Sequence, residues 1–147
     1  MENGYVAQES ADDSASLTLS YAYDDYVLAG LSDIVGDTKA ASEAYSRAQN
    51  YRNIWSADNE FMCPKSSSGD LECPRNATCP EAWTLYREGD GLHWSTFVIH
   101  DPLGFKSLYK SNEAFESWLD SFFLNRMENH EKFGEAAPNP YYWYFIN

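Results

Sequence analysis

The densest run of residues able to do chemistry is Glu88-Gly89-Asp90-Gly91-Leu92-His93-Trp94, which closes on His100-Asp101. Two glycines around a carboxylate let the backbone bend and bring a ligand close to the acid. A glutamate set beside aromatic surface suits general-acid work, because apolar surroundings favour its protonated form. The bland alternative is a solvated loop carboxylate. A second acidic pair, Asp24-Asp25, follows Tyr21-Ala22-Tyr23. On a helix, adjacent carboxylates point in different directions, so this pair reads either as a solvated edge or as one acid reaching a pocket. Metal-ligand spacing is lacking. His93 and His100 are too far apart for one helical face, and Asn129-His130-Glu131 has no second histidine to make a zinc-protease helix. The chain has no GxSxG, no phosphate-binding glycine loop and no GxGxxG.

The elements that must position these residues are mainly helical. Leu19, Ala22, Tyr23, Tyr26, Val27, Gly30, Leu31 and Ile34 recur at helical spacing from Leu17 onward. Gly36 provides a stop, and Asp37 or Thr38 a cap for a second helix, whose face is Ala41, Ala44, Tyr45, Ala48, Tyr51 and Trp55. So short a break makes an antiparallel helical hairpin. From Ser56 to about Arg87 the helical period lapses. There Phe61-Met62 and Leu71-Glu72 flank Ser66-Ser67-Ser68-Gly69-Asp70, as a short β-hairpin or a long loop. Asp101-Pro102 starts a helix running to about Lys110. After it, Ser111 or Asn112 caps another with Phe115, Trp118, Leu119, Phe122 and Phe123 on its face. Residues 1–16 read as an irregular segment. The expected fold is mainly α, about two helical hairpins with an intervening disulfide-capable loop.

Composition narrows the partners. The 147 residues carry a formal net charge of -13, which argues against nucleic acid and anionic membrane surfaces. Aromatics reach 16%, serving cores and able to stack on the apolar faces of sugars. No stretch is apolar over the ~18 residues a membrane helix needs, and the polar, acidic Met1–Ala15 is no signal peptide. Even so, Cys63, Cys73 and Cys79 cluster in one Pro- and Ser-rich stretch with the glycosylation sequon Asn76-Ala77-Thr78. That combination favours a secreted or lumenal loop with one disulfide and one leftover thiol, the pairing open.

Three blocks resemble a known family, glycoside hydrolase family 92, the calcium-dependent inverting exo-α-mannosidases. Leu17–Asp25, LTLSYAYDD, is similar to the family's "TLEYAYDD" helix, and Glu88–Asp101, EGDGLHWSTFVIHD, to its "EGNAWQYTWFVPHD" segment, without gaps. Between them, Asn50-Tyr51-Arg52-Asn53 and Phe61 resemble "NYKNLFD…GFFRP". The resemblance implies an (α/α)6 toroid, of which residues 17–147 form a partial catalytic domain. It implies Glu88 as the general acid protonating the departing oxygen. It also places Asp24, Asp25, His93, Trp94, His100 and Asp101 around a mannose-containing oligosaccharide. Terminal α-1,2-mannosyl linkages of N-glycans or mannans are the substrates it implies. The family's base and its calcium-gripping Gly-Asn-Glu motif fall beyond Pro138-Asn139-Pro140-Tyr141-Tyr142-Trp143 and are expected from the remainder of the catalytic domain. No metal ligand is assigned in this chain. Departures alter the pocket wall: Leu92 stands for a tryptophan, His93 for a glutamine, Thr96 for an aromatic and Ile99 for a proline. An inactive mannose-binding module or relic, or a purely structural helical domain, are the competing expectations.

Overall fold

A computed structural model of the chain describes residues 3–75 and 85–133, the side chains of 125–133 excepted. It divides into two compact units, Met1–Pro102 and Leu103–Asn147.

The first unit is built on a helical hairpin, α1 (Ser14–Ile34) and α2 (Thr38–Ala48). The turn between them follows from three residues. Gly36 takes φ +82°, a left-handed conformation open to glycine at little cost. Asp37 N–H then reaches back to the Ser32 carbonyl at 2.9 Å, closing α1. Asp37 Oδ1 accepts from Ala40 N–H at 3.0 Å, opening α2. The buried faces are small, Ala22, Ala29 and Ser32 on α1 and Ala41, Ala44 and Ala48 on α2, so the backbones approach closely. The larger half of the apolar row expected on α1 is not buried here: Leu31 is 56% and Ile34 82% exposed, and Val27 is exposed as well. The small residues took the contact with α2 and left the bulky ones on the outer side.

Within the segment expected to be irregular, residues 3–16 include regular structure. Gln8–Ser10 form a 3-10 turn, and α1 begins at Ser14. Serine and threonine gave no apolar period there, yet their hydroxyls are the fasteners. Ser14 Oγ donates to Gln8 Oε1, and Thr18 Oγ1 accepts from Val6 N–H.

After α2 the chain tightens into a 3-10 helix, Gln49–Ile54, rather than continuing as an α-helix to Trp55. It then forms an antiparallel pair, β1 (Trp55–Ser56) with β2 (Phe61–Met62), and a single bridge, Lys65 with Leu71, across the serine-rich turn. A disulfide links Cys63 to Cys73. Cys63 is fully buried beside Phe61, with Cys73 and Leu92 packed against them. Cys79 and Asn76 lie outside the described residues, as do Pro138–Trp143. A short helix missing from the sequence reading, α3 (Gly91–Ser95), follows. Asp90 caps it, accepting from His93 N–H at 2.9 Å.

Helix α4 (Pro102–Lys106) starts at the last residue of the first unit, with Pro102 first as read, though the helix stops short of Lys110; its other residues belong to the second unit. Ser111 Oγ accepts from Ala114 N–H to cap α5 (Asn112–Phe133). Phe105, Tyr109, Phe115, Trp118 and Phe122 pack ring on ring, Phe105 and Trp118 with centroids 5.7 Å apart. Among the described residues, no helix is long and apolar enough to cross a membrane.

Candidate active site

Glu88 sits on the turn between Arg87 and Asp90 with φ 49°, a left-handed conformation unusual for a residue with a side chain. Such conformations persist where the surroundings over-determine them, and they cluster at functional sites. Three hydrogen bonds hold the preceding residue. Arg87 N–H donates to Ser16 Oγ at 3.0 Å, its guanidinium pairs with Asp13 at 2.6 Å, and its carbonyl accepts from the Trp94 indole N–H at 2.8 Å. The turn therefore ties the amino end of α1 to α3, and Glu88 projects at the surface.

Beneath it, α3 is braced from β2. Ser95 Oγ accepts from Met62 N–H at 2.8 Å and donates to the Gly91 carbonyl. Tyr86 Oη donates to the Met62 carbonyl at 2.6 Å. At Gly91 a Cβ would come within 2.8 Å of the Phe61 ring and 2.9 Å of Tyr86 Oη, so only glycine fits this close approach. Asp90 is fully buried, and its Oδ1 also lies 3.1 Å from His93 Nδ1. His93 is thus oriented by a buried carboxylate one turn earlier.

His100 and Asp101 are placed by α2 and the 3-10 helix after it. A carbonyl can only accept, so His100 Nε2 carries the proton it shares with the Ala48 carbonyl at 2.9 Å. Its Nδ1 is buried, with no hydrogen-bond partner among the described residues. The ring lies among three tyrosines, with centroids 6.2 Å from Tyr23, 5.6 Å from Tyr26 and 5.7 Å from Tyr51. Fully buried Tyr51 donates its hydroxyl to Asp101 Oδ2 at 2.8 Å, and Arg52 lies 3.5 Å from the same oxygen. Burial first, and the bond to Asp101 second, push the Tyr51 hydroxyl pKa well above its ordinary value.

Rings connect the two chemistry-bearing blocks. Trp94 meets Phe97 at 5.3 Å, Phe97 meets Tyr23 at 6.0 Å, and Tyr23 meets His100. The acidic pair beside Tyr23 is split. Asp24 is exposed, whereas Asp25 is held by Arg47 at 2.6 Å. The bond to Asp25 raises the Arg47 pKa in turn. Among the described residues no three His, Cys, Asp or Glu side chains group so as to hold a metal ion. Asp25, Asp90 and Asp101 are instead engaged with Arg47, His93 and Tyr51. The described residues therefore do not fit a calcium site. Sequence reasoning missed Ser16, Tyr86, Arg87 and Ser95, and it took Tyr51 for an ordinary member of an apolar face.

An exposed carboxylate on a left-handed turn, with a row of aromatic rings running from Trp94 to His100, is the arrangement this unit presents. The model of the glycosyl hydrolase family 92 catalytic domain matches residues 1–144, and the chain belongs to that family. Solved structures agree. A family 92 inverting mannosidase from Bacteroides thetaiotaomicron is 32% identical with a TM-score of 0.75, over 82% of this chain and 16% of its own. A family 92 α-mannosidase from Bacteroides thetaiotaomicron is 28% identical with a TM-score of 0.76, over the same shares. That α-mannosidase in complex with mannoimidazole is 27% identical with a TM-score of 0.74, over 81% of this chain and 16% of its own. No curated protein matches the chain. The fold is accordingly a mainly α piece of the family's helical toroid, and the chain spans 16% of the length of these solved relatives.

Proposed function

We propose that this chain supplies the general-acid wall of an inverting α-mannosidase site that removes terminal α-mannosyl residues, acting on α-1,2 linkages of N-glycans or mannans. Glu88 protonates the departing glycosidic oxygen. An inverting enzyme also needs a carboxylate base, about 6.5–9.5 Å away with water between, and that base comes from the remainder of the catalytic domain. The observation that carries the reading is the Glu88 turn itself, left-handed and anchored through Arg87 to Ser16 and Trp94. Asp24, His93, Trp94 and the His100-Asp101 pair form the sugar-facing wall, with Asp25 contributing through Arg47. Mannose-containing oligosaccharides are the partners. Calcium, where the domain binds it, is held by groups other than these and polarises sugar hydroxyls; no step here depends on it. The Cys63–Cys73 disulfide favours a secreted or lumenal setting, with Asn76 as its glycosylation acceptor.

A segment exchange tests this. The matching stretch of the Bacteroides inverting mannosidase is replaced by this chain, and hydrolysis of an α-1,2-mannobiose is followed by NMR. Release of mannose with inverted configuration, lowered by about a hundredfold or more in Glu88→Gln, supports the reading. A monodisperse chimera that binds mannose without hydrolysing it would instead favour the inactive binding module. Equal rates before and after the Glu88→Gln substitution would remove Glu88 from the acid role.

A further inference from the structure

The residue before Glu88 and the one after it are both in the reach of one side chain. The Trp94 indole N–H bonds the Arg87 carbonyl at 2.8 Å. A Cβ built on buried Gly89 would meet that same indole nitrogen at 3.4 Å, and its neighbouring carbon at 3.5 Å. The indole therefore spans the Glu88 turn from one peptide to the next. Its ring also meets that of Phe97, edge to face at 5.3 Å, and its backbone N–H donates to the Asp90 carbonyl at 3.0 Å. Left alone, a glutamate would leave the left-handed region for one lower in energy. We propose that Trp94 is the positioning residue of the Glu88 turn, its N–H used to clamp the main chain so that the carboxyl is presented in one direction. This rests on the reading of Glu88 as the acid for its functional meaning, whereas the clamp itself is a statement about conformation. A tryptophan in a sugar-facing wall is usually assigned to stacking alone; here its polar atom has a separate duty that phenylalanine or tyrosine at the same place could not perform in the same geometry.

The test uses the full chain labelled with 15N. In the unmodified protein, the Trp94 indole proton exchanges with solvent about tenfold more slowly than an unbonded indole; exchange at the unbonded rate overturns the clamp without any variant. In Trp94→Phe, the Glu88 and Gly89 amide resonances move, and the Glu88 N–H to Hα coupling departs from its left-handed value. Met62 and Lys65, in the hairpin, stay in place, which separates a released turn from a general loss of structure. Unchanged Glu88 and Gly89 resonances overturn the proposal. Glu88→Gly provides the rescue. Glycine enters the left-handed region freely, so adding Trp94→Phe to it moves the Gly89 amide less than in the Glu88 background; an equal movement counts against the clamp. Every readout is conformational, so it stands or falls separately from the Glu88→Gln hydrolysis experiment.

Discussion

Replacing Tyr51 by phenylalanine isolates the bond that holds the His100-Asp101 end of the site. The ring is kept, so no cavity forms, and its edge contact with His100 at 5.7 Å remains. What goes is a single hydrogen bond, Tyr51 Oη to Asp101 Oδ2 at 2.8 Å. A bond to a charged acceptor contributes about 1.5–3 kcal/mol net. Asp101 keeps 25% of its side chain exposed, and Arg52 stands 3.5 Å from the same oxygen, so water and the guanidinium recover part of the loss. The lower end applies, about 1.5 kcal/mol, or a fall in Tm of about 5 °C for a chain of this size. The alkaline behaviour carries a separate signature, chiefly of the hydroxyl's burial and secondly of the bond. The ordinary tyrosine value is 10.0 and the folded value is raised, so the native state holds this proton more tightly than the unfolded chain. The contribution is whole below the ordinary value and is lost as pH rises through the folded one. The gap between wild type and Tyr51→Phe should therefore begin to narrow as pH rises past about 10 in urea unfolding followed by circular dichroism. A difference below about 0.5 kcal/mol at neutral pH would show that Tyr51 does not hold Asp101 in solution, and a gap that stays flat with pH would show that its hydroxyl is not buried there.

Gly91→Ala places a methyl group against the Phe61 ring and the Tyr86 hydroxyl; overpacking of this kind should destabilise by about 1–3 kcal/mol in the same urea assay, and a neutral result would mean that α3 moves freely over β2. The Glu9 carboxyl accepts backbone N–H bonds from its own residue and from Ser67, and a hydroxyl bond from Ser67, which together lower its pKa from 4.5. A depressed carboxylate stabilises above its ordinary value and stops doing so as pH falls through the folded value. The Ser67 amide should therefore lose protection from hydrogen exchange as pH falls below 4.5 and through the lowered folded value, and Glu9→Gln should remove that pH dependence.

The helical hairpin was legible because repeating patterns produced it. Gly36 and Asp37 are local signals with one conformational meaning each, and the small residues of α1 and α2 share the period of the large ones. The side that α2 would choose was not legible, because Ala22 and Ala29 alternate with Val27 and Leu31 on neighbouring rows, and only packing decides between them. The end of α2 was misread for a similar reason. Tyr51 keeps the apolar spacing, while the chain has already tightened into a 3-10 turn in which Asn53 Nδ2 bonds the Gly4 carbonyl at 3.0 Å. At five residues, α3 is too short for any period. Its one sequence signal was Asp90 three residues before His93, an N-cap hidden among glycines that read as loop.

The candidate site divides along the same line. Glu88 was singled out by its aromatic and glycine neighbours and given an acid role by the likeness of its block to a family segment, and nothing in that block states that the residue is left-handed. Its conformation depends on Ser16, 71 residues before Arg87 in the chain, and on Asp13, 74 residues before it. Both were assigned to a segment expected to be irregular, because a hydroxyl or a carboxylate with a distant partner leaves no periodic trace. The disulfide shows the same physics in covalent form. Three cysteines in one stretch announced a bond but not which two would meet, and Cys63 is set beside Cys73 by the Lys65–Leu71 bridge and the bond from Glu72 N–H to the Pro64 carbonyl at 2.8 Å. Periodicity thus locates elements that bury repeating faces, while the atoms that orient an acid are single polar contacts across long separations. Those contacts become visible only once the elements have been placed.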